Sequence, residues 1–124
     1  DATSLKTTRA VFSRFLDQMV GETNRMITRI DVAGTPAVKN GVAIRRALRT
    51  LLVRARTSLV VARRDAATMS LTDPRAFAKS ATAIGDTVGK EFDALGSAFD
   101  RIDRAYPSPQ LDSAVARARA CKKL

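Results

Sequence analysis

Several residue types that carry enzyme chemistry are absent or scarce in this chain. Its 124 residues include no histidine, no tryptophan and a single cysteine, Cys121, and only two glutamates, Glu22 and Glu91. Without an imidazole there is no histidine-dependent nucleophile or general base, and one thiol cannot build a zinc site. The chain contains neither G-x-G-x-x-G nor G-x-x-x-x-G-K-[ST], the two glycine-rich motifs that bind phosphate groups. We therefore expect a protein that is not an enzyme and that needs no metal or cofactor.

Long apolar runs are also missing. No stretch approaches the ~20 apolar residues that a membrane-spanning helix needs, so no transmembrane segment is expected. The hydrophobic content of 45% and the charged content of 27% are ordinary for a folded protein. A chain of this length suffices for one core, and we expect a single domain over residues 1–124.

Helical periodicity is the dominant pattern, and no segment alternates as a strand would. The first predicted helix runs from about Ser4 to Ile30, and Gly34 suits the left-handed residue after its end. The second starts at Pro36, after the capping hydroxyl of Thr35, or at Gly41. The apolar seams of these two helices are formed by Leu5, Phe12, Leu16, Met19, Thr23, Met26 and Ile30, and by Ile44, Leu48, Leu51, Ala55, Leu59, Ala62, Ala66 and Met69.

The third and fourth helices are delimited by prolines. Asp73 and Pro74 are typical of a helix start, and Pro107 ends the third helix. The apolar seam of that helix comprises Phe77, Ala81, Ile84, Val88, Phe92, Leu95, Phe99, Ile102 and Tyr106. A short fourth helix follows Pro109. Because the connections are short, successive helices should be antiparallel neighbours. The prediction is an all-α, up-down-up-down four-helix bundle with three long helices and a short C-terminal helix.

Positive charge is concentrated on the second helix. The chain carries 22 basic and 12 acidic residues, a net charge of +10, and residues 32–70 contain eight basic residues and one acid. Arg45, Arg46 and Arg64 have no matched acid in the predicted hairpin of helices two and three. They are candidates for binding an anion or a partner protein.

The other arginines of this helix have an alternative interpretation. Arg49, Arg56 and Arg63 repeat every seven residues, as three aspartates of the third helix do, namely Asp86, Asp93 and Asp100. Folding the hairpin about its turn predicts the ion pairs Arg56–Asp86 and Arg49–Asp93, which would help to set helix pairing.

Three glycines share one side of the third helix. Gly85, Gly89 and Gly96 each destabilise a helix interior by ~1 kcal/mol relative to alanine. One interpretation is the close approach of a neighbouring helix. The alternative is a groove for an apolar ligand or a partner helix, lined by these glycines with Phe92 and Phe99.

Cys121 lies on the apolar side of the predicted fourth helix, with Leu111, Val115 and Ala118. It is expected to behave as a small apolar residue. The alternatives are a free thiol or a disulfide with another chain or with a cysteine upstream of Asp1.

The C-terminal part of the chain carries a resemblance. Tyr106-Pro107-Ser108-Pro109-Gln110-Leu111, followed by Ala120-Cys121-Lys122-Lys123-Leu124, resembles small secreted or lipid-anchored helical proteins of actinobacteria, over residues 71–124. The resemblance implies a helical bundle of the cell envelope or beyond, and it supplies no functional residues. The chain begins at Asp1 rather than methionine, so we expect that either a leader has been removed or the chain has been shortened at this end.

Three functions are compatible with these patterns. The leading hypothesis is a non-catalytic protein that docks on an envelope protein or assembly. The first alternative is binding of anionic polymers or lipid headgroups through the second helix, and the second is apolar-ligand binding in the glycine-lined groove. Nucleic acid is not an expected partner, since aromatic side chains are few and do not alternate with basic ones.

Overall fold

The computed structural model describes residues 2–106 together with residues 116, 117 and 120. This part contains three α-helices and no strand: α1 (Ala2–Ala33), α2 (Gly41–Ala67) and α3 (Pro74–Ala105). The all-α prediction is confirmed. The predicted fourth helix and Cys121 lie outside the described residues, apart from the three isolated positions, whose backbone is helical.

Helix α3 begins and ends as the sequence predicts. The Asp73 carboxylate accepts hydrogen bonds from the backbone amides of Arg75 and Ala76, at 3.0 and 3.2 Å, and Pro74 occupies the first turn. These bonds satisfy two of the amide donors that a helix start leaves without partners. The helix ends at Ala105, before Pro107.

The connection between α1 and α2 decides between the two predicted starts of the second helix in favour of Gly41. Gly34 has a φ of 70° after the end of α1, as expected, but Thr35-Pro36 does not start a helix. Helix α2 begins at Gly41, after Asn40 in the left-handed conformation with φ of 63°. The loop turns back so closely that a β-carbon at Gly41 would clash with the Pro36 carbonyl oxygen. Only glycine fits this first residue of α2 without a shift of the loop.

Helix α2 is the central element. It packs against both α1 and α3, whereas α1 and α3 have far fewer contacts with each other. The ion pair Arg49–Asp31 joins the end of α1 to the first half of α2, and Arg63–Asp17 joins the middle of α1 to the end of α2, so these helices are antiparallel. Each flank of α2 therefore carries one neighbour, and a third side of this helix is left facing outward.

The main hydrophobic core lies where all three helices meet, near the turn between α2 and α3. Its buried members are Leu16, Val20, Leu59, Ala62, Ala66, Met69, Phe77 and Ile84. Leu16 is fully inaccessible to solvent. The predicted seams of α2 and α3 supply most of this core.

Two details of the predicted seams are corrected by the packing. On α2, Leu52 is 4% exposed whereas Leu51 is only half-buried. On α1, Val20 and Ile27 are buried, whereas Met26 is 40% exposed. The buried positions Val20 and Ile27 therefore each lie one residue after the predicted positions Met19 and Met26. The buried side of α1 is turned in this way because α1 contacts α2 far more than α3.

Candidate functional site

The seven-residue arginine repeat of α2 faces α1. Arg49 donates to both carboxylate oxygens of Asp31, at 2.8 and 3.3 Å. One repeat further on, Arg56 Nη1 donates to the Asn24 side-chain oxygen at 3.1 Å. Another repeat on, Arg63 Nη1 lies 3.5 Å from Asp17 Oδ1. The arginine ladder, as we call these three pairs, joins two helices that run in opposite directions.

The predicted pairs of Arg49 with Asp93 and of Arg56 with Asp86 are therefore wrong. The physical reason is that α2 has a neighbour on each flank, and these arginines lie on the flank that α1 occupies. Seven-residue spacing on α3 was not sufficient to choose the partner, because Asp17, Asn24 and Asp31 have the same spacing on α1. This second repeat was the pattern in the sequence that would have identified the ladder.

The arginine ladder changes the pKa of Asp31, the ladder acid that lies nearest the end of α1. The hydrogen bond from Arg49 is the main influence that lowers the pKa of the Asp31 carboxyl, and the charges of Arg49 and Arg45 act in the same direction, against a smaller effect of burial. The same hydrogen bond raises the pKa of the Arg49 guanidinium. Asp31 therefore stays ionised to a lower pH than an ordinary aspartate.

The three arginines predicted to lack a matched acid divide into two groups. Arg45 Nη2 lies 3.5 Å from Asp31 Oδ1, so Arg45 has an acidic partner on α1 that the hairpin argument did not consider. Arg46 and Arg64 are exposed, and neither makes an ion pair or hydrogen bond with another described residue. They are 18 residues apart, which is five helical turns, so they project in the same direction about 27 Å apart.

Arg46 and Arg64 belong to the side of α2 that points away from both neighbouring helices. We call this side the outer face of α2. Its exposed members are Val42, Arg46, Thr50, Thr57, Val61 and Arg64. Val42 is 58% exposed and Val61 is 44% exposed, so apolar and basic side chains share this surface.

A cleft lies at the start of α2, beside the outer face. It encloses about 220 Å³ and is lined by Thr35, Val42, Arg45, Arg46, Arg49 and Thr50. We call it the arginine cleft, because three guanidinium groups from two successive turns of α2 converge on it. Asp31, on α1, holds two of these three groups from one side.

The glycines of α3 lie elsewhere. Within the described part of the chain, apart from the adjoining residues and the backbone of α3 itself, no atom comes within 4 Å of a β-carbon placed at Gly85, Gly89 or Gly96, so neither α1 nor α2 packs closely on them. Phe92 is half-buried and Phe99 is buried. A second cleft, of about 60 Å³, lies between α2 and α3 and is lined by other residues: Leu51, Arg54, Ala55, Glu91, Ala94, Leu95, Ala98 and Arg101.

Charge is unevenly distributed over the three helices. Helix α2 carries seven arginines and one acid, whereas α3 carries five basic and five acidic residues. Helix α1 has a small basic excess, with five basic and three acidic residues. The α1–α2 layer is therefore strongly positive, and the α3 layer is neutral.

Two further properties hold for the described residues. They contain no group of three cysteine, aspartate or glutamate side chains arranged to hold a metal ion. None of their helices combines the length and the apolar character needed to cross a membrane.

The fold and site thus define a class: an all-helical chain with a basic layer and an outward-facing helix of mixed apolar and basic character. Comparison with known proteins adds no relative, since no family model, no curated protein and no solved structure matches the chain. Function is accordingly argued from the site itself.

Proposed function

We propose that this chain is a non-catalytic docking protein that binds an acidic surface of an envelope protein or assembly through the outer face of α2. The observation that carries the proposal is the pair Arg46 and Arg64, two exposed arginines without a described acidic partner. They lie on one side of the helix with exposed Val42 and Val61. Arginine beside apolar side chains is typical of protein interfaces.

The size of the outer face suits a helix-length contact. Val42 and Arg64 are 22 positions apart, which corresponds to about 33 Å at a rise of 1.5 Å per residue. Standard interfaces bury about 800 Å² on each partner. The core takes no side chain from this face, so a partner can cover it without rearranging α1 or α3.

The uneven charge of the helices supports an acidic partner. A positive α1–α2 layer opposite a neutral α3 orients the molecule in the field of an acidic surface. Such complementarity raises the association rate more than the final affinity. The resemblance of residues 71–124 to secreted or lipid-anchored actinobacterial proteins is the basis for an extracytoplasmic location.

A fourth helix is also part of the proposal. A helix over residues 109–124 would extend about 24 Å, and as the last member of an up-down-up-down bundle it would run back between α1 and α3. Phe15 and Met26, which are 49% and 40% exposed on α1, would then gain cover. The helical positions 116, 117 and 120 are exposed and lie off the predicted apolar side, which fits this placement.

Cys121 provides the test of the fourth helix. If the helix packs with its apolar side inward, the Cys121 thiol should react with a thiol reagent much more slowly in the native protein than in denaturant. Equal rates in the two states would contradict the packed helix. Because the chain has one cysteine, the reaction reports on this position alone.

The docking proposal is tested by capture from an envelope fraction and kinetic measurement with the captured protein. The double variant Arg46→Gln/Arg64→Gln should associate more slowly, with a weaker salt dependence. The matched control is Arg54→Gln/Arg101→Gln, which removes the same charge from the cleft between α2 and α3. The control should associate at nearly the parent rate.

Three outcomes would count against the proposal. Equal slowing of both double variants would indicate an effect of net charge rather than of the outer face. Unchanged rates in both variants would place the interface elsewhere. Retention of an anionic polymer in place of a protein, with steep loss of binding as salt rises, would favour the alternative anion-binding function.

A further inference from the structure

The arginine cleft contains more donor groups than the described residues satisfy. Asp31 accepts from Arg49 at 2.8 and 3.3 Å, and its Oδ1 lies 3.5 Å from Arg45 Nη2. Arg46 has no ion pair within the described part of the chain. One carboxylate therefore faces three guanidinium groups.

The size and lining of the cleft indicate a small anion. Its volume of about 220 Å³ is below the ~300–1,000 Å³ of sites for drug-sized ligands. Thr35 and Thr50 add two hydroxyl groups to the lining, and each hydroxyl can donate to an oxyanion. Guanidinium groups match phosphate oxygens in geometry and bind them in paired hydrogen bonds.

We propose that the arginine cleft binds a phosphate monoester or inorganic phosphate. A tetrahedral dianion presents oxygens in several directions, so it can accept from Arg46 and from Arg45 while Asp31 keeps Arg49. This site shares Arg46 with the outer face proposed for docking, but it does not rest on the docking function, since a free phosphate needs no partner protein.

Asp31 has a defined role in this site. Its carboxylate holds Arg49 and shares Arg45 with the incoming anion, and its negative charge repels that anion. Removing the charge should therefore strengthen phosphate binding, whereas removing the charge of Arg46 should weaken it. Opposite effects of two neighbouring substitutions are not expected from a general change in stability.

The test is titration of the full chain with inorganic phosphate at constant ionic strength. We expect saturable binding, affinity about tenfold lower for Arg46→Gln, as for loss of one charged hydrogen bond, and higher affinity for Asp31→Asn. Arg64→Gln is the matched control, because it removes an equal charge from the far end of the same face, and its affinity should be unchanged. Thermal unfolding of each variant shows whether the fold is retained.

Other outcomes would overturn the proposal. Phosphate binding that is absent or does not saturate would exclude the site, and an equal loss for Arg64→Gln would show a general attraction of anions. Weaker binding by Asp31→Asn would show that Asp31 organises the arginines rather than competing with the ligand. None of these results bears on Arg64 in partner docking, so failure here leaves the docking proposal standing.

The source of the phosphate is distinguished by a second arm. Vesicles of a neutral lipid that contain phosphatidic acid present the same monoester on a lipid surface, and vesicles of the neutral lipid alone are the control. If the ligand is a headgroup, the chain should bind the phosphatidic acid vesicles and free phosphate should compete. If it is a soluble phosphate, titration should show binding while the vesicles retain no protein. Vesicle binding that neither free phosphate nor Arg46→Gln weakens would overturn the assignment of the cleft.

Discussion

Two adjacent leucines of α2 provide the sharpest test of the packing. Leu52 is 4% exposed, whereas Leu51 is half-buried beside the cleft between α2 and α3. Replacing each by alanine removes the same atoms from neighbouring positions of one helix, with the same change in helix propensity. The two substitutions therefore differ mainly in the packing of the lost side chain.

The expected losses follow from burial. Leu52→Ala should reduce the free energy of unfolding by about 3 kcal/mol, within the ~2–5 kcal/mol typical of emptying a packed core site. Leu51→Ala should cost about 1 kcal/mol. Part of the Leu51 side chain is already in contact with water, and its removal would widen the open cleft beside it without leaving a buried cavity. The larger loss is a substantial part of the ~5–15 kcal/mol that stabilises a domain.

Urea denaturation followed by far-ultraviolet circular dichroism measures both values. The periodic seam in the sequence assigns Leu51 to the core and omits Leu52, so it predicts the opposite order. A larger loss for Leu51→Ala, or equal losses, would refute the orientation of α2 given by the structure. A changed slope with urea would show that the compactness of the unfolded or native state had changed instead.

Four other predictions concern local features. Gly41→Ala should destabilise the fold, measured by thermal unfolding, because its β-carbon would clash with the preceding loop. Gly89→Ala should be neutral or stabilising by up to ~1 kcal/mol, since the described residues leave open space there, and a clear loss would indicate a covering element. Asp73→Ala should cost ~0.5–2 kcal/mol through loss of the helix cap. The hydrogen bond from Arg49 lowers the pKa of the Asp31 carboxyl. The ion pair of Asp31 with Arg49 therefore contributes fully to stability at any pH above the ordinary aspartate pKa, and this contribution is lost as the pH falls through the lowered pKa. Asp31→Asn should therefore be less stable than the parent at neutral pH and equal to it in strong acid.

Local sequence features predicted much of the fold. The cap at Asp73, the left-handed Gly34 and the end of α3 before Pro107 follow from interactions within a few residues. Helix type follows from the 3.6-residue repeat of apolar side chains, which needs no knowledge of neighbours. The start of α2 could not be decided locally, because Thr35-Pro36 and Gly41 both resemble helix starts. In the structure the loop turns back toward Gly41, so Thr35-Pro36 lies in the loop and the helix starts at Gly41.

The candidate site depended more on tertiary structure. The sequence identified Arg45, Arg46 and Arg64 as basic residues of one helix, but it did not show that Arg45 shares Asp31 with Arg49. It also did not show that Arg46 and Arg64 lie on a common outward side.

What the sequence determined by itself was therefore the helical class, the helix ends set by local caps and the concentration of positive charge on α2. Only the tertiary structure decided which neighbour each flank of α2 receives. The reason is that a seven-residue repeat fixes the direction of a side chain around its own helix but not the identity of the helix it meets. Side chains that can accept from arginine occur with this spacing on both α1 and α3, and the packing of α1 against one flank of α2 selected Asp31, Asn24 and Asp17 as the partners of the arginine ladder.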